Sequence, residues 1–420
     1  MVDKSYAEQV HHELIRINSE AAYISKPDVF EQEYDALLDS FKKYYDRVNI
    51  AYSFKTNYLP PFLEVVRNKK GYAEVVSIME LELALKVGFS AENIFFNGPF
   101  KHREETSNYL GLGVLVNVDS YDEFKWIEDF ATQSKQKCRI GLRLNFGFSE
   151  NSSRFGVSIN DEAIKDIITK SCSNQYLSFE SLHYHYAPRD LETWKTCAKA
   201  FVSVLDTFDL NSIATLRFIS VGGGIFSRMD QYIQNQLPFA IPSFDEYAQS
   251  SVKYIADYLD RKKVLRVRPE ILIEPGTALA SKALDFAVQV VSIKNICGVC
   301  FINTSGSKYN MNPSPARINS PVEVYNGNPG DIVYAKKAKI AGYTCIESDI
   351  IHEDFSGNIA VKDTIIFKEV GAYSVVMKPP FILPDVAIIQ FNYDSRKYAL
   401  IREKQTVEDL FHNFTCFQND

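Results

Sequence analysis

The sequence predicts an α/β fold in which a (β/α)8 barrel is followed by a smaller antiparallel β domain. Three observations favour this fold. The chain has 420 residues, which is too many for one small core. Up to Thr277, short apolar runs alternate with longer amphipathic stretches. Beyond Thr277, short β-like runs follow one another with little helix between them.

Parallel strands follow from the alternation, because each helical crossover returns the chain to the same end of the sheet. The eight strand-like runs are Val48–Lys55, Tyr72–Ile78, Ile94–Pro99, Val114–Ser120, Arg139–Asn145, Phe179–Tyr186, Phe218–Gly224 and Glu270–Gly276. Helix-like segments between them include Pro61–Asn68, Met79–Val87, Asp122–Ser134, Leu191–Phe208 and Phe244–Arg261. Eight units are the usual number for a closed barrel, and an open doubly wound sheet is the alternative.

Turn dipeptides punctuate the last third of the chain, as expected for antiparallel strands. The β-like runs there are Phe286–Ser292, Val322–Tyr325, Asp331–Ala335, Ile359–Val361 and Thr364–Phe367. The polar first segment, before Lys26 and Pro27, has no place in the barrel pattern. We therefore expect residues 28–277 to form the barrel, and residues 1–27 with 278–420 to form the β domain.

The charge balance is acidic, with 46 basic and 53 acidic side chains and a formal net charge of −7. It gives no electrostatic reason to bind nucleic acid or an anionic membrane. No apolar run has bilayer-spanning length, and the N-terminus does not have the pattern of a signal peptide, so a cytoplasmic protein is expected. The seven cysteines are scattered. Cys297 and Cys300 have redox-motif spacing but are interpreted as buried structural thiols, and no metal site is expected.

Polar residues lie at the C-terminal ends of the predicted strands, which is the face where barrels place their chemistry. They are Lys55, Glu74 with Ser77, Asn97, Asp119, Arg143, His185, Gly222–Gly224 and Glu274. The strand bodies are apolar, so this concentration of polar groups predicts an active site.

Lys55 has two interpretations: an exposed rim residue, or a partly desolvated amine whose lowered pKa makes it a nucleophile. The three glycines at 222–224 form either a plain tight turn or a phosphate cradle, where backbone N–H groups approach the ligand closely. A cofactor with an aldehyde, a phosphate and a pyridine nitrogen would use the lysine, the glycines and an acidic residue together.

The chain resembles the fold-type III pyridoxal-phosphate decarboxylases, a group that contains the diaminopimelate and ornithine decarboxylases. Eight ordered motifs carry the resemblance: Tyr52–Asn57, Ser77–Glu80, Ser153–Gly156, His183–His185, Gly222–Gly224, Glu274–Gly276, Cys345–Asp349 and Gly371–Tyr373. The resemblance implies an alanine-racemase-like barrel with a β domain, a pyridoxal 5'-phosphate cofactor and loss of an amino acid's α-carboxylate.

By the same resemblance, Lys55 would carry the cofactor covalently, His185 would stack on its ring and Glu274 would face the ring nitrogen. Glu74, Arg143, Gly222, Gly223, Gly224, Gly276, Thr277 and Tyr373 would complete the cofactor site. Cys345 would return a proton to Cα. The residues expected to contact substrate are Cys345, Ile346, Glu347, Asp349 and Tyr309. Cys345 and Asp349 would come from the β domain of a second subunit, because family members share sites across a homodimer.

Glu274 favours decarboxylation over racemisation, because racemases of this fold have an arginine beside the ring nitrogen. A non-catalytic homologue is a further alternative. Against it, Lys55, His185, Glu274 and Cys345 are all present.

Three positions depart from the family pattern. His185 is followed by Tyr186, Ala187 and Pro188 instead of a glycine and a phosphate-binding serine. Thr277 replaces the usual arginine, so either Arg189 or Thr277 itself would have to compensate. Ile346 replaces the acidic residue that commonly follows the cysteine, although Glu347 lies adjacent, and the stretch Ser305–Arg317 differs from the family's usual arginine-bearing segment. These departures favour a modified or conjugated amino acid as substrate, as in siderophore or peptide-antibiotic pathways.

Overall fold

The protein is described here from a computed structural model. It covers residues 5–148, 153–207, 215–262, 268–311, 318–327, 331–378, 380–392, 395 and 397–415. The chain divides into two compact units. The barrel unit comprises Glu31–Phe226 and Ile241–Ala278. The β unit comprises Met1–Phe30, Ser227–Ala240 and Leu279–Asp420.

Strands and helices are numbered in chain order. The strands are β1 (Ala21–Ser25), β2 (Val48–Ser53), β3 (Tyr72–Val75), β4 (Ile94–Phe96), β5 (Leu115–Val118), β6 (Cys138–Asn145), β7 (Val157–Ser158), β8 (Leu177–His183), β9 (Phe218–Ser220), β10 (Glu270–Ile273), β11 (Leu284–Ile296), β12 (Val299–Thr304), β13 (Val322–Tyr325), β14 (Val333–Ala341), β15 (Ile350–Ile359), β16 (Thr364–Phe367), β17 (Ala387–Asn392) and β18 (Lys397–Arg402). The helices are α1 (Tyr6–Arg16), α2 (Pro27–Lys42), α3 (Pro60–Asn68), α4 (Ile78–Val87), α5 (Arg103–Leu110), α6 (Tyr121–Ser134), α7 (Ala163–Ser173), α8 (Leu191–Thr207), α9 (Gln231–Gln234), α10 (Phe244–Ser250), α11 (Val252–Lys262), α12 (Thr277–Ala280) and α13 (Val407–Phe411).

The barrel unit contains a closed parallel barrel. Its strand order is β5-β4-β3-β2-β10-β9-β8-β6, and a β5–β6 pairing closes the ring. Each predicted strand-like run contributes one of these strands, so the predicted barrel is confirmed and the open sheet is not formed. The predicted helix Phe244–Arg261 is wrong, because the chain breaks at Ser251 into α10 and α11.

An apolar layer fills the barrel interior. Ala51, Phe95, Leu115, Phe218 and Leu272 pack together, with the Tyr72 ring against them. These six residues come from six different strands. The Phe95 and Phe218 rings meet edge to face, with their centroids 5.0 Å apart. Such packing makes the centre of the barrel a solid core on which polar groups can be built.

The β unit is built on a nine-stranded sheet whose main path is β15-β14-β12-β11-β1-β17-β18. The N-terminal strand β1 lies in its centre, antiparallel to β11 and parallel to β17. β12 and β14 are also parallel, so the sheet is mixed and not purely antiparallel. The sequence pattern did not predict β1, β12, β17 and β18. The strands predicted at 331–335 and 359–361 only partly overlap β14 and β15, whose bounds differ from the predicted ones.

Cys297 and Cys300 belong to the hairpin between β11 and β12. Cys297 is exposed and has a positive φ of 50°, which places it in the turn, and Cys300 is half-buried. The interpretation as two buried thiols is therefore wrong. No cluster of three metal-binding side chains occurs among the described residues. No helix in that part of the chain is long and apolar enough to cross a bilayer.

A buried ion pair stabilises the β unit, and its loss should be costly. The ammonium of Lys26 donates to both carboxylate oxygens of Asp285 at 2.7 Å, and the two side chains are 9% and 1% exposed. Replacing Lys26 by alanine leaves a buried carboxylate without its cation. We expect Lys26→Ala to lower the free energy of unfolding by about 3–5 kcal/mol, measured by urea denaturation.

Lys43→Ala is the matched control, because Lys43 pairs with Asp245 on the surface, with side chains 60% and 35% exposed. Water screens such a pair, so little or no change is expected. Equal losses for the two variants would contradict the assigned role of the buried pair.

Candidate active site

A polar layer lies directly above the apolar layer of the barrel. Because side chains alternate along a strand, the residue two positions after an inward-facing one also faces inward. Each of the six interior apolar residues is followed two positions later by a buried polar one. These are Ser53, Glu74, Asn97, Asn117, Ser220 and Glu274. The carboxyl ends of six strands thus meet in one hydrogen-bonded layer.

Glu74 binds the amine of Lys55, which lies in a 3-10 turn just past β2. The distance between Nζ and Oε2 is 2.5 Å. Ser53 and Asn97 donate to the two oxygens of Glu74 at 2.6 and 3.1 Å. Burial opposes the charge on the amine, but the carboxylates of Glu74 and Glu274 outweigh it, so the pKa of Lys55 lies above its ordinary value. A lowered pKa, the second sequence-based interpretation, is not seen.

Glu274 is the second carboxylate of the layer and is held by three donors. Asn97 and Ser220 donate to Oε1 at 3.1 and 2.7 Å, and Nε2 of His183 lies 3.2 Å from Oε2. Burial alone would raise the pKa of Glu274, but His183, Lys55 and the Ser220 hydrogen bond together hold it well below its ordinary value. The side chain is therefore a fixed anion at the end of β10.

His185 and the glycine turn are hydrogen-bonded to each other. The backbone N–H of Gly223 donates to Nδ1 of His185 at 3.2 Å, which leaves the proton of the neutral ring on Nε2. Burial lowers the pKa of His185 to about 3, so the ring is uncharged at neutral pH. Gly222 and Gly224 have φ values of +73° and +93°, which favour glycine.

Arg143 lies near the end of β6 and is buried, with its guanidinium 4.6 Å from the centroid of the Phe155 ring. Its Nη1 lies 3.5 Å from an oxygen of Asp119. Burial lowers the pKa of Arg143, although Asp119 opposes the shift. Gly156 has a φ of +83°, and a Cβ there would lie 2.8 Å from the Arg143 carbonyl oxygen. Within the motif Ser153–Gly156, Phe155 and Gly156 thus pack closely against Arg143.

The motif Ser77–Glu80 caps helix α4. The Ser77 hydroxyl accepts from the N–H of Glu80 at 3.2 Å, and the Glu80 carboxylate accepts from the N–H of Val76 at 2.8 Å. Ser120 and Glu123 cap α6 in the same way. Glu80 therefore has a structural explanation that requires no cofactor.

The carboxyl group of Glu80 gives a pH prediction. It is 5% exposed, and burial raises its pKa to about 7 from an ordinary 4.5. The folded state thus keeps a proton that the unfolded state loses. Relative to Glu80→Gln, the wild type should lose stability as the pH rises from 4.5 to 7, by roughly 3 kcal/mol, and the difference should be flat on either side. Urea titrations at several pH values measure it, and a pH-independent difference would contradict the raised pKa.

Three of the predicted substrate residues form an exposed tip of the β unit. Cys345, Ile346 and Glu347 are exposed, and Asp349 is 3% exposed. The Asp349 carboxylate accepts from the hydroxyls of Ser307 and Thr344 and from backbone N–H groups at Lys308 and Thr344. These hydrogen bonds give Asp349 a structural role beside the exposed residues 345–347. Direct binding of substrate by Asp349 stays a prediction.

Three further predictions concern the β unit. Tyr309 is half-buried, with its ring edge to face against Phe381. Tyr373 has a positive φ of 63°. The roles assigned to these two residues stay predictions. Within Ser305–Arg317, residues 312–317 lie outside the described residues.

Sequence reasoning missed Ser53, Asn117, Ser220 and His183 as parts of the site. Ser53 and Ser220 are hydroxyls that bond the two key carboxylates, and Asn117 donates to Asn97 at 2.7 Å. A signal for the first three existed, because each stands two residues after an inward-facing apolar residue. His183 was noted only as a motif letter, although its ring contacts Glu274.

The sequence was compared with known protein families. The model of the family described as "Pyridoxal-dependent decarboxylase, pyridoxal binding domain" matches residues 32–281, more than half of the chain. The chain belongs to this family. It is a pyridoxal-phosphate-dependent carboxy-lyase that acts on an amino acid, so the predicted enzyme class and cofactor are confirmed.

Individual relatives are distant. The chain is 25% identical to an L-glutamyl-(BtrI acyl-carrier protein) decarboxylase of Niallia circulans, over 80% of this chain and 81% of the relative. It is 23% identical to a diaminopimelate decarboxylase of Archaeoglobus fulgidus, over 95% and 93%. The crystal structure of Helicobacter pylori diaminopimelate decarboxylase complexed with L-lysine superposes with a TM-score of 0.80 at 24% identity, covering 96% of this chain and 98% of that one.

The residues present fit the decarboxylase cofactor. A Cβ at Gly223 would lie 2.2 Å from the carbonyl oxygen of Glu274, and one at Gly276 would lie 1.9 Å from the Thr56 hydroxyl. Neither glycine has room for a side chain, so bare backbone lies beside Glu274 and Thr56, and backbone N–H groups of such glycine turns can bind a phosphate. The amine of Lys55 and the anion of Glu274 belong to the same polar layer, joined through Glu74 and Asn97.

Proposed function

We propose that this decarboxylase acts on an amino acid whose distal end is conjugated, so that it carries no free ammonium group. The exposed tip of the β unit supports the proposal. Its Ile346 side chain is 37% exposed where relatives commonly have an acid that grips a distal amine. An apolar group there offers no charge to a diamino acid and tolerates an acyl, amide or thioester linkage.

The name of one relative agrees with this substrate class. The Niallia circulans relative is named for a glutamyl group attached to a carrier protein, whereas other relatives are named for diaminopimelate, a free diamino acid. Identities near 25% do not separate the two classes. The chemistry at Ile346 therefore carries the proposal.

The residues of the polar layer and the glycine turn each have a defined role in the proposal. Pyridoxal phosphate supplies a conjugated ring that accepts the electrons left when carbon dioxide departs. Lys55 would hold the cofactor covalently, at the position where Glu74 now binds its amine. Glu274, anchored by its three donors, would face the ring nitrogen and favour a proton on it. Neutral His185 would pack on the ring face, oriented by its hydrogen bond from Gly223.

The Cys345 thiol would donate the proton that replaces the lost carboxylate, since an S–H group can act as a general acid. In the proposal, Cys345 reaches the barrel of a second subunit, which makes the enzyme a homodimer with shared sites.

A substrate panel tests the proposal. Carbon dioxide release should be measured with free L-glutamate, L-ornithine and meso-diaminopimelate, and with γ-glutamyl amide and γ-glutamyl thioester conjugates. We expect kcat/KM for a conjugate to exceed that for every free amino acid by about 100-fold or more. Efficient turnover of meso-diaminopimelate or ornithine would overturn it. Ile346→Glu should shift the preference toward the free diamines.

Site sharing has its own test. Lys55→Ala and Cys345→Ala are each expected to be inactive. After the two are mixed and subunits are exchanged, random pairing makes half of the dimers mixed, and each mixed dimer has one intact site of its two. About one quarter of the wild-type activity should therefore return. If mixing restores nothing although exchange is demonstrated by labelled subunits, Cys345 serves its own subunit or has no role.

A further inference from the structure

The phosphate-binding part of the site lacks two groups that relatives commonly have. Ala187 and Pro188 follow the histidine motif where a glycine and a serine are usual, and Thr277 replaces an arginine. Backbone N–H groups of a glycine turn offer donors but no net charge, whereas a bound phosphate carries nearly two negative charges. A compensating cation is needed in this chain.

Arg189 brings a cation to the position of the missing arginine. Its Nη2 donates to the Thr277 hydroxyl at 3.2 Å. Thr277 directly follows Gly276, and its hydroxyl, having accepted from Arg189, keeps its own proton to donate. The guanidinium of Arg189, in the loop after β8, thus lies beside the end of the Glu274–Gly276 motif. The arginine usual in the family would instead stand at position 277, after β10.

The loop that carries Arg189 is fixed against the glycine turn. The Tyr247 hydroxyl donates to the Arg189 carbonyl at 2.5 Å, and the guanidinium carbon lies 5.1 Å from the centroid of the Phe226 ring. A Cβ at Gly224 would lie 3.5–3.9 Å from the carbonyl oxygens of residues 186–188. The arginine is therefore oriented before any ligand arrives, which lowers the entropic cost of binding.

Among the residues that the structure describes, no carboxylate forms an ion pair with Arg189. A guanidinium has five N–H donors, and the hydroxyl of Thr277 uses one of them. Most of its fork-shaped donor set remains for a planar or tetrahedral oxyanion.

We infer that Arg189 and Thr277 together bind the phosphate of pyridoxal phosphate and replace the family's serine and arginine. The inference rests on the cofactor and not on the proposed substrate. It assigns a cofactor-binding function to the segment Ala187–Arg189, which departs from the family pattern. It also explains why Thr277 is tolerated: the positive charge has moved to a neighbouring loop.

The test compares pyridoxal phosphate with pyridoxal, which lacks the phosphate. Apoenzyme is titrated with each, and binding is followed by absorbance. Arg189→Met should raise the Kd for pyridoxal phosphate by about 10- to 100-fold, the loss expected for charged hydrogen bonds, and should change the Kd for pyridoxal less than about threefold. In the double variant Arg189→Met/Thr277→Arg, most of the phosphate affinity should return.

Arg217→Met is the matched control. Arg217 precedes β9 at the opposite end of the barrel and pairs with Glu180 at 3.3 Å, so its loss should leave both Kd values unchanged. If Arg189→Met does not fold, Arg189→Lys, which keeps charge but loses the fork, should still show a selective loss for the phosphorylated ligand. Equal losses for both ligands, or no loss, would overturn the inference. A wild type that binds the cofactor but ignores conjugates would overturn only the proposed substrate.

Discussion

Replacing Lys55 by alanine is expected to lower kcat for carbon dioxide release by at least about 10³-fold. The proposed covalent anchor of the cofactor is removed, and the carboxylate of Glu74, 1% exposed, loses the cation that lies 2.5 Å away. Borohydride reduction followed by mass spectrometry measures the chemical part. The wild type should retain the reduced cofactor on residue 55, and the variant should release it.

Lys125→Ala is the control for a lost lysine. Lys125 is 51% exposed and pairs with Asp122 on helix α6, so its loss should leave both activity and labelling unchanged. Addition of a small primary amine such as methylamine should restore part of the activity of Lys55→Ala, because the missing group is an amine. Reduced cofactor attached to a different lysine in the wild type would contradict the assignment.

The barrel could be predicted because its strands are local and repetitive. Each apolar run is short, each ends in polar residues, and a helix-forming stretch separates it from the next. Lys55, Glu74, Asn97 and Glu274 were predicted to meet because the carboxyl ends of parallel strands lie together. In the structure, hydrogen bonds join these four residues.

The finer geometry of the layer was beyond the sequence. Nothing in the sequence says that Glu74 pairs with Lys55, or that His183 rather than His185 contacts Glu274. Because side chains alternate along a strand, His183 and His185 are both expected to face inward, and the alternation cannot say which of them contacts Glu274. Ser220 was not predicted because a serine in a strand carries no charge and by itself indicates no chemistry. Its function is visible only from its hydrogen bond to Glu274.

The β unit was harder, because its pairings join distant parts of the chain. Strand β1 pairs with β17, with Ala22 opposite Ala387. No local pattern reports such a contact. Strand β18 escaped notice for another reason: it lies at the end of the sheet path and is largely exposed, so it lacks the alternation that marks a half-buried strand.

The second large effect is expected at Glu274. Replacing it with glutamine keeps the shape but removes the anion that faces the ring nitrogen in the proposed mechanism. We expect kcat to fall by about 10²–10³-fold, the scale of a lost electrostatic contact at a reacting group. The glutamine amide also puts an N–H₂ group among Asn97, Ser220 and His183, three side chains arranged around a carboxylate. One mismatched hydrogen bond is therefore expected besides the lost charge.

Glu270→Gln is the matched control for the same substitution away from the site. Glu270 begins the same strand and accepts a hydrogen bond from the Tyr72 hydroxyl at 2.7 Å, at the other end of the barrel. Its replacement should alter stability but leave kcat nearly unchanged. Comparing Glu274→Gln with Glu274→Asp distinguishes the effect of charge from that of position. Glutamine keeps the side-chain length without the charge, whereas aspartate keeps the charge on a shorter side chain. If Glu274→Asp loses as much as Glu274→Gln while cofactor affinity is unchanged in both, position outweighs charge. If Glu274→Gln keeps full activity, the ring nitrogen needs no anion, and the electrostatic basis for preferring decarboxylation over racemisation in this chain fails.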